Sequence, residues 1–228
     1  MDFRAIASGS GGNCYLLTAG KTRLLIECGL PVARIRQALD YQLSGIRGCL
    51  VSHEHQDHAK AVKDLLRLGI PCYMSEGTAT ALRANNHPGI HFVRHEKPFQ
   101  IERMTIMPFA AEHDSAEPLG FLIASCGKKL LYLTDSAYCR YKFLGLTHIA
   151  IECNYIAEVM RESALEEVVK QRITKSHMSL ETMLEFLRLH TWPGLEEVHL
   201  LHMSDGNMDA EVAKVLVERQ TEAVVKIC

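Results

Sequence analysis

The segment Ser52-His53-Glu54-His55-Gln56-Asp57-His58-Ala59, SHEHQDHA, gathers three histidines and two acids into eight residues. It follows the apolar run Cys49-Leu50-Val51 and leads into a helical pattern in which Val62, Leu65 and Leu66 fall at i, i+3 and i+4. In an extended segment residues two apart point to one side, so His53 and His55 share a face. Asp57 and His58 lie where the strand gives way to a helix. Such a corner offers two imidazoles to one cation and a carboxylate with an imidazole to a neighbouring one. Zinc and similar divalent ions accept both kinds of donor. A solvated, charged loop is the competing reading, and it suits an isolated H-x-H better than H-x-H-x-D-H directly after an apolar strand.

A metal site needs further ligands, and three similar corners supply candidates. His113 follows the apolar Met107–Ala111 in PFAAEHDSAEPLG, Asp135 follows Leu130–Thr134 in LLYLTDSAY, and His202 follows His199–Leu201 in VHLLHMSDGN. His199 lies within its strand rather than at the end, which makes it the poorer ligand candidate. His87, His91, His95, His148 and His190 have no matching context and read as surface or satisfied core residues.

The rest of the chain bounds the answer. At 228 residues and 47% hydrophobic content it can bury a sizeable core as one domain, residues 1–228. A formal net charge of −2 argues against a globally polyanion-binding surface and leaves a local basic strip open. The opening MDFRAIASGSGG has no apolar core of a signal peptide, and no run approaches the ~18 apolar residues of a membrane span. The eight cysteines are scattered without a C-x-x-C pair, so a reduced, cytoplasmic setting is expected, without a disulfide framework or thiolate zinc site.

Short strands are expected at Cys14–Leu17, Arg23–Glu27, Gly48–Ser52, Pro71–Met74, His91–Val93, Phe99–Pro108, Gly120–Ser125 and Lys129–Thr134, with a later one ending at Glu152. Several are continuous apolar runs, as in sheets covered on both faces. Leu180, Met183, Leu184 and Leu187 form a helical stripe with Ser179 as N-cap and Pro193-Gly194 as stop. A strand at Glu197–Leu201, a helix at Asp209–Arg219 and a strand at Ala223–Ile227 complete an α/β order. Periodicity does not choose among α/β layouts.

The series H-x-H-x-D-H, a single His, a strand-ending Asp and a late His resembles the metallo-β-lactamase superfamily over nearly the whole chain. That resemblance implies a four-layer αββα sandwich, two mixed sheets between outer helices, with a dinuclear metal site at one sheet edge. Carried over, His53, His55 and His113 hold the first metal; Asp57, His58 and His202 hold the second; Asp135 bridges them. Glu27, in LLIECGL, stands where the superfamily usually has Asp, at a position that supports the site rather than ligating it. Two cations roughly 3.5–4 Å apart share one water and hold it as hydroxide, which predicts a hydrolase. Nitrogen and carboxylate donors suit zinc or manganese, with iron the further candidate.

Three segments are similar to the small exonuclease branch typified by YycJ and WalJ proteins. GSGGNCYLL resembles its opening, and reads equally as a glycine turn between strands. IAIECNY resembles its E-[ST]-N segment and implies that Glu152 supports catalysis; the bland alternative is an acid at a helix N-terminus. KSHMSLETMLEFL resembles its H-L-S-x-E-x-A segment and implies that His177 binds the scissile phosphate or protonates the leaving oxygen. Lys170, Arg172 and Lys175 just upstream are candidates for contacts to the nucleic-acid backbone, though such a cluster is commonly a solvated face. Only a modest segment separates Asp135 from His202, too short for the large insertion of the bigger RNA- and DNA-processing members. The expected activity is a metal-dependent phosphodiesterase acting on DNA ends, with no membrane and no obligate protein partner. A small-molecule hydrolase, either a cyclic phosphodiesterase or a thioesterase of the glyoxalase II kind, is the alternative. A flavodiiron-like redox protein expects an acid where His55 stands.

Overall fold

A computed structural model describes residues 1–189 and 192–228 and divides them into two compact units, 1–110 with 115–127 and 111–114 with 128–228. His190 lies outside the described residues.

The first unit holds β1 (Asp2–Ala7), β2 (Cys14–Ala19), β3 (Thr22–Ile26), α1 (Val32–Ala38), β4 (Ile46–Leu50), α2 (Gln56–Ala59), α3 (Val62–Arg67), β5 (Cys72–Met74), α4 (Glu76–Ala81) and β6 (Ile90–Phe92). Its six strands lie in sequence order in one sheet. Antiparallel β1-β2-β3 is followed by parallel β3-β4-β5-β6, so the sheet is mixed. The run IRGCL of β4 needs no alternation because Gly48, Cys49 and Leu50 are all buried. Ile35, Val62 and Leu65 pack onto that sheet with Leu25, Val51, Cys14, Cys28, Cys49 and Cys72. The cysteines thus behave as small apolar residues, and burial pushes the thiols of Cys14 and Cys49 well up.

The same unit carries an antiparallel run of β7 (Phe99–Ile101), β8 (Met104–Ala110) and β9 (Leu119–Ser125). Where one strand is expected over Phe99–Pro108, the chain turns at Glu102, whose φ of 53° is left-handed, and forms a hairpin. No glycine marks the turn, which is why the apolar alternation reads straight through it. β1 is a further difference from expectation. Only Phe3 of DFRAIA is buried, so the strand leaves no apolar pattern.

The second unit contains β10 (Lys128–Leu133), β11 (His148–Glu152), α5 (Ala157–Glu162), α6 (Glu167–Ser176), α7 (Leu180–Arg188), β12 (Glu197–Leu201), α8 (Ala210–Thr221) and β13 (Val224–Ile227). Strands β10 to β13 are parallel neighbours in that order. β11 is wholly buried, as expected of a parallel strand covered on both faces. Ser179 caps α7 by accepting from the Thr182 N–H at 3.1 Å, and Asp209 caps α8 by accepting from Val212 at 3.1 Å. Leu180, Met183 and Leu187 turn inward as the stripe predicts. Among the described residues no helix is long and apolar enough to cross a membrane.

Candidate metal centre

In the first unit the motif leaves the end of β4 and enters α2. His55 is the residue before the helix, extended at φ −59° and ψ 147°, so His53 and His55 stay on one side of the chain. Their rings meet edge to face, with His53 Nε2 3.0 Å from His55 Nδ1. The Ser52 hydroxyl lies 2.9 Å from His53 Nδ1, which orients that ring and leaves Nε2 to the site. Asp57 and His58 stand in the first turn of α2, with Asp57 Oδ2 3.2 Å from His58 Nε2. Glu54 is no idle spacer. Its carboxylate accepts from the Ala116 N–H at 2.8 Å and ties the motif to the segment before β9.

Glu27 directly follows β3 with φ 61° and is fully buried. Both its oxygens accept from the Ser52 N–H, at 3.2 and 3.3 Å, and Oε2 lies 3.6 Å from His58 Nδ1. The acid standing where the superfamily has Asp therefore reaches both the motif's start and its last ligand candidate. Asn13, from the glycine turn, was not singled out by sequence reasoning. Its N–H donates to the Asp57 carbonyl at 2.7 Å, and its side-chain amide lies 3.1 Å from His58 Nε2. Gly29 completes this packing, since a Cβ there would lie 1.6 Å from the Asp57 carbonyl oxygen. A signal for Asn13 was present in GSGGN, where a polar residue directly follows a turn that only glycines fit; Gly12 has φ 136°.

In the second unit the donors come from separate loops. His113 Nε2 lies 3.6 Å from Asp135 Oδ2, and His202 Nε2 lies 3.8 Å from Asp135 Oδ1. These spans are too long for hydrogen bonds and suit a cation held between a carboxylate and two imidazoles. Asp135 and His202 follow β10 and β12 in left-handed backbone, φ 44° and 52°. Such conformations are uncommon outside glycine and gather at functional sites. His113 Nδ1 is 2.9 Å from the Ser176 carbonyl, which as an acceptor sets the tautomer with Nε2 toward Asp135. Burial lowers the pKa of His113 despite the nearby Asp135 carboxylate, a shift that favours the neutral, ligand-competent ring.

Behind this set lies Glu152, buried at the end of β11 and not at a helix start. One oxygen accepts from the N–H groups of Ser136 and Met178, each at 3.0 Å, while the other lies 2.6 Å from His177 Nδ1 and 3.3 Å from His202 Nδ1. Burial alone would raise its pKa; the charge and hydrogen bonds of His177, then His202, outweigh that and hold it below the usual carboxylate value. His177 is pulled down by burial and raised further by Glu152, for a net rise. Its ring stacks on His202 at 5.3 Å. Asp135, Glu152, His177 and His202 each offer an atom within 4.8 Å of the others, a grouping able to hold a metal ion. Asn154, unforeseen from sequence, donates from its amide to the His202 carbonyl at 2.8 Å.

The remaining histidines keep bland roles. His199 is buried inside β12 with its Nε2 2.9 Å from Glu197, and burial lowers its pKa. His148 sits beside the Thr147 hydroxyl, and His87, His91 and His95 are exposed.

Imidazoles and carboxylates at strand ends, several of them held by a partner at the far ring nitrogen, are the equipment of a metal-dependent hydrolase. The chain belongs to the Beta-lactamase superfamily domain family, which it matches over residues 22–203. It is 27% identical over 234 residues to the Exodeoxyribonuclease WalJ of Streptococcus pneumoniae serotype 2 (strain D39 / NCTC 7466), covering 96% of this chain and 87% of that protein. It is 28% identical over 240 residues to the Exodeoxyribonuclease YycJ of Bacillus anthracis, covering 97% and 89%. In structure it is similar to the metallo-beta-lactamase fold protein YhfI of Bacillus subtilis, with a TM-score of 0.77 at 19% identity over 99% of this chain and 95% of that one. The fold is thus the α/β sandwich of two mixed sheets flanked by helices, as the motif series implied.

Proposed function

We propose that the chain is a metal-dependent phosphodiesterase, a DNA exonuclease, whose donors serve a dinuclear centre within one catalytic domain. On this reading His53, His55 and His113 hold one divalent cation, Asp57, His58 and His202 hold the other, and Asp135 is shared. Zinc and manganese both suit neutral imidazole with carboxylate. Two cations bound there would polarise the phosphodiester and activate water for attack.

The observation that carries the choice of phosphate is the Glu152–His177 pair. Here a buried carboxylate holds an additional imidazole 5.6 Å, ring to ring, from His113 and stacked on His202. Glu152 engages Nδ1, so Nε2 is the nitrogen left for a phosphate oxygen or a leaving alkoxide. The direction of the His177 pKa agrees: burial opposes the charged ring, Glu152 more than offsets this, and a charged ring binds an anion better than a neutral one. Relatives named as exodeoxyribonucleases over nearly the full chain support the same reading. A cytoplasmic location fits a DNA substrate.

The test is to incubate the purified protein with manganese or zinc and end-labelled single- and double-stranded DNA. Shortening of the labelled strand that stops in chelator is expected. Intact DNA under both metals, with efficient cleavage of a thioester such as S-lactoylglutathione, would replace this reading by the small-molecule one.

A further inference from the structure

We propose that the cleft beside His113, between α6 and the loop after β10, binds a single-stranded segment of the nucleic-acid substrate next to the scissile phosphate. The proposal rests on the phosphodiesterase reading and names how that site would hold its substrate.

The cleft has a volume of about 710 Å³, and its walls include His113, Tyr138, Arg140, Arg172, Lys175 and Ser176. Its inner end is therefore a metal-donor candidate, held by the Ser176 carbonyl that also lines the wall. Arg172 and Lys175 are exposed and lie at i and i+3, neighbours on one face of α6. Among the described residues neither side chain has an acidic partner. They lie about 4.5 Å apart along the helix axis, five and two residues before His177. A stacked strand repeats its phosphates about every 3.4 Å, so both cations can face the backbone of the next one or two nucleotides.

Across the cleft Arg140 pairs with Glu112, which neutralises that acid and steadies the guanidinium. The other acid on the wall, Asp114, is outnumbered by the cations. On a chain with a formal net charge of −2, this is a local reversal of sign at the entrance to the donor set.

Tyr138 selects the form of the ligand. It is a half-exposed aromatic residue in the same wall, 46% accessible. Cations that follow a backbone, combined with an accessible aromatic side chain, are the means by which proteins hold unpaired strands. Within a duplex the base faces are covered, so only an unpaired strand offers that ring successive bases.

The experiment measures binding of metal-loaded, full-length protein to a fluorescein-labelled 12-nucleotide single strand with phosphorothioate linkages that resist cleavage, by anisotropy across a salt series. Arg172→Glu combined with Lys175→Glu should weaken binding by about tenfold or more and flatten the log–log salt slope by about 1.4, for two lost contacts on a single strand. Tyr138→Ala should weaken it about fivefold or more. Arg172→Lys, which keeps the charge, should bind nearly as wild type, and metal content should be unchanged throughout. Unchanged affinity and slope in the double variant, or preference for a duplex of the same sequence, would overturn the assignment. The two readings separate cleanly. DNA cleavage with variant-insensitive binding removes the cleft assignment alone, whereas variant-sensitive binding without cleavage under any metal removes the nuclease reading alone.

Discussion

His58 in the first unit and His202 in the second are supported in the same way and reached by different routes. Each ring faces a buried glutamate at the end of a strand, Glu27 at 3.6 Å and Glu152 at 3.3 Å. Each also has an asparagine amide 3.1 Å from a ring nitrogen, Asn13 and Asn154. Yet His58 belongs to a continuous motif on a regular helical turn, while His202 depends on a left-handed residue after β12. Local chain geometry carries much of the placement in the first unit. Hydrogen bonds between distant loops carry it in the second. Support from behind should therefore matter more for His202 than for His58.

The largest effect on that comparison is expected from Asp135→Ala, which removes the carboxylate facing both His113 and His202. The variant should fold, lose bound metal by elemental analysis, and release no nucleotides from end-labelled DNA; full activity would refute the assignment. Gly29→Ala tests the frame of the first unit, because its Cβ would collide with the backbone of Asp57. Loss of soluble protein, or a melting temperature lowered by several degrees, is the expected result. Glu152→Gln should cost about 10- to 100-fold in activity, as supporting partners of metal ligands do. Glu27→Gln should fall at or below the lower end of about 10- to 100-fold, and a cost equal to that of Glu152→Gln would dissolve the contrast.

The smallest effect concerns pH. Burial holds His148 and His199 below the ordinary imidazole pKa. As pH falls past the unfolded value of about 6.5, the unfolded chain takes up these protons before the folded one. The stability they contribute is complete above that pH and is lost as the solution becomes more acidic. His177, with its raised pKa, acts in the opposite sense, so the comparison must be between variants. The urea midpoint of His148→Gln should change less than that of wild type between about pH 7.5 and pH 5.5.

How much of this was legible follows from the same contrast. His53, His55, Asp57 and His58 are neighbours in the chain, so spacing alone exposed them. His113, Asp135 and His202 could be found because each stands just past the end of an apolar run. The left-handed backbone of Glu27, Asp135 and His202 has no sequence signature, since none is glycine or asparagine. Asn13 and Asn154 lay inside quoted segments, GSGGN and ECN, but their roles stayed hidden because nothing in the spacing tells which ring an amide supports. β1 escaped because a single buried side chain makes no pattern, and the Glu102 turn escaped because its residue type argues against one. What the chain does locally was readable; what it does across loops required coordinates.

The left-handed backbone of Glu27, Asp135 and His202 has a consequence for how this protein can change. Each such conformation costs an L-residue roughly 1–2 kcal/mol that glycine would not incur. The cost recurs at Glu27 in the first unit and at Asp135 and His202 in the second. Selection for heat resistance alone would favour glycine there, while selection for turnover would hold the side chains in place. A library screened only for survival on heating should therefore drift toward inert proteins at these positions first, and the ancestry of an active sequence would show as reluctance to relax its own backbone.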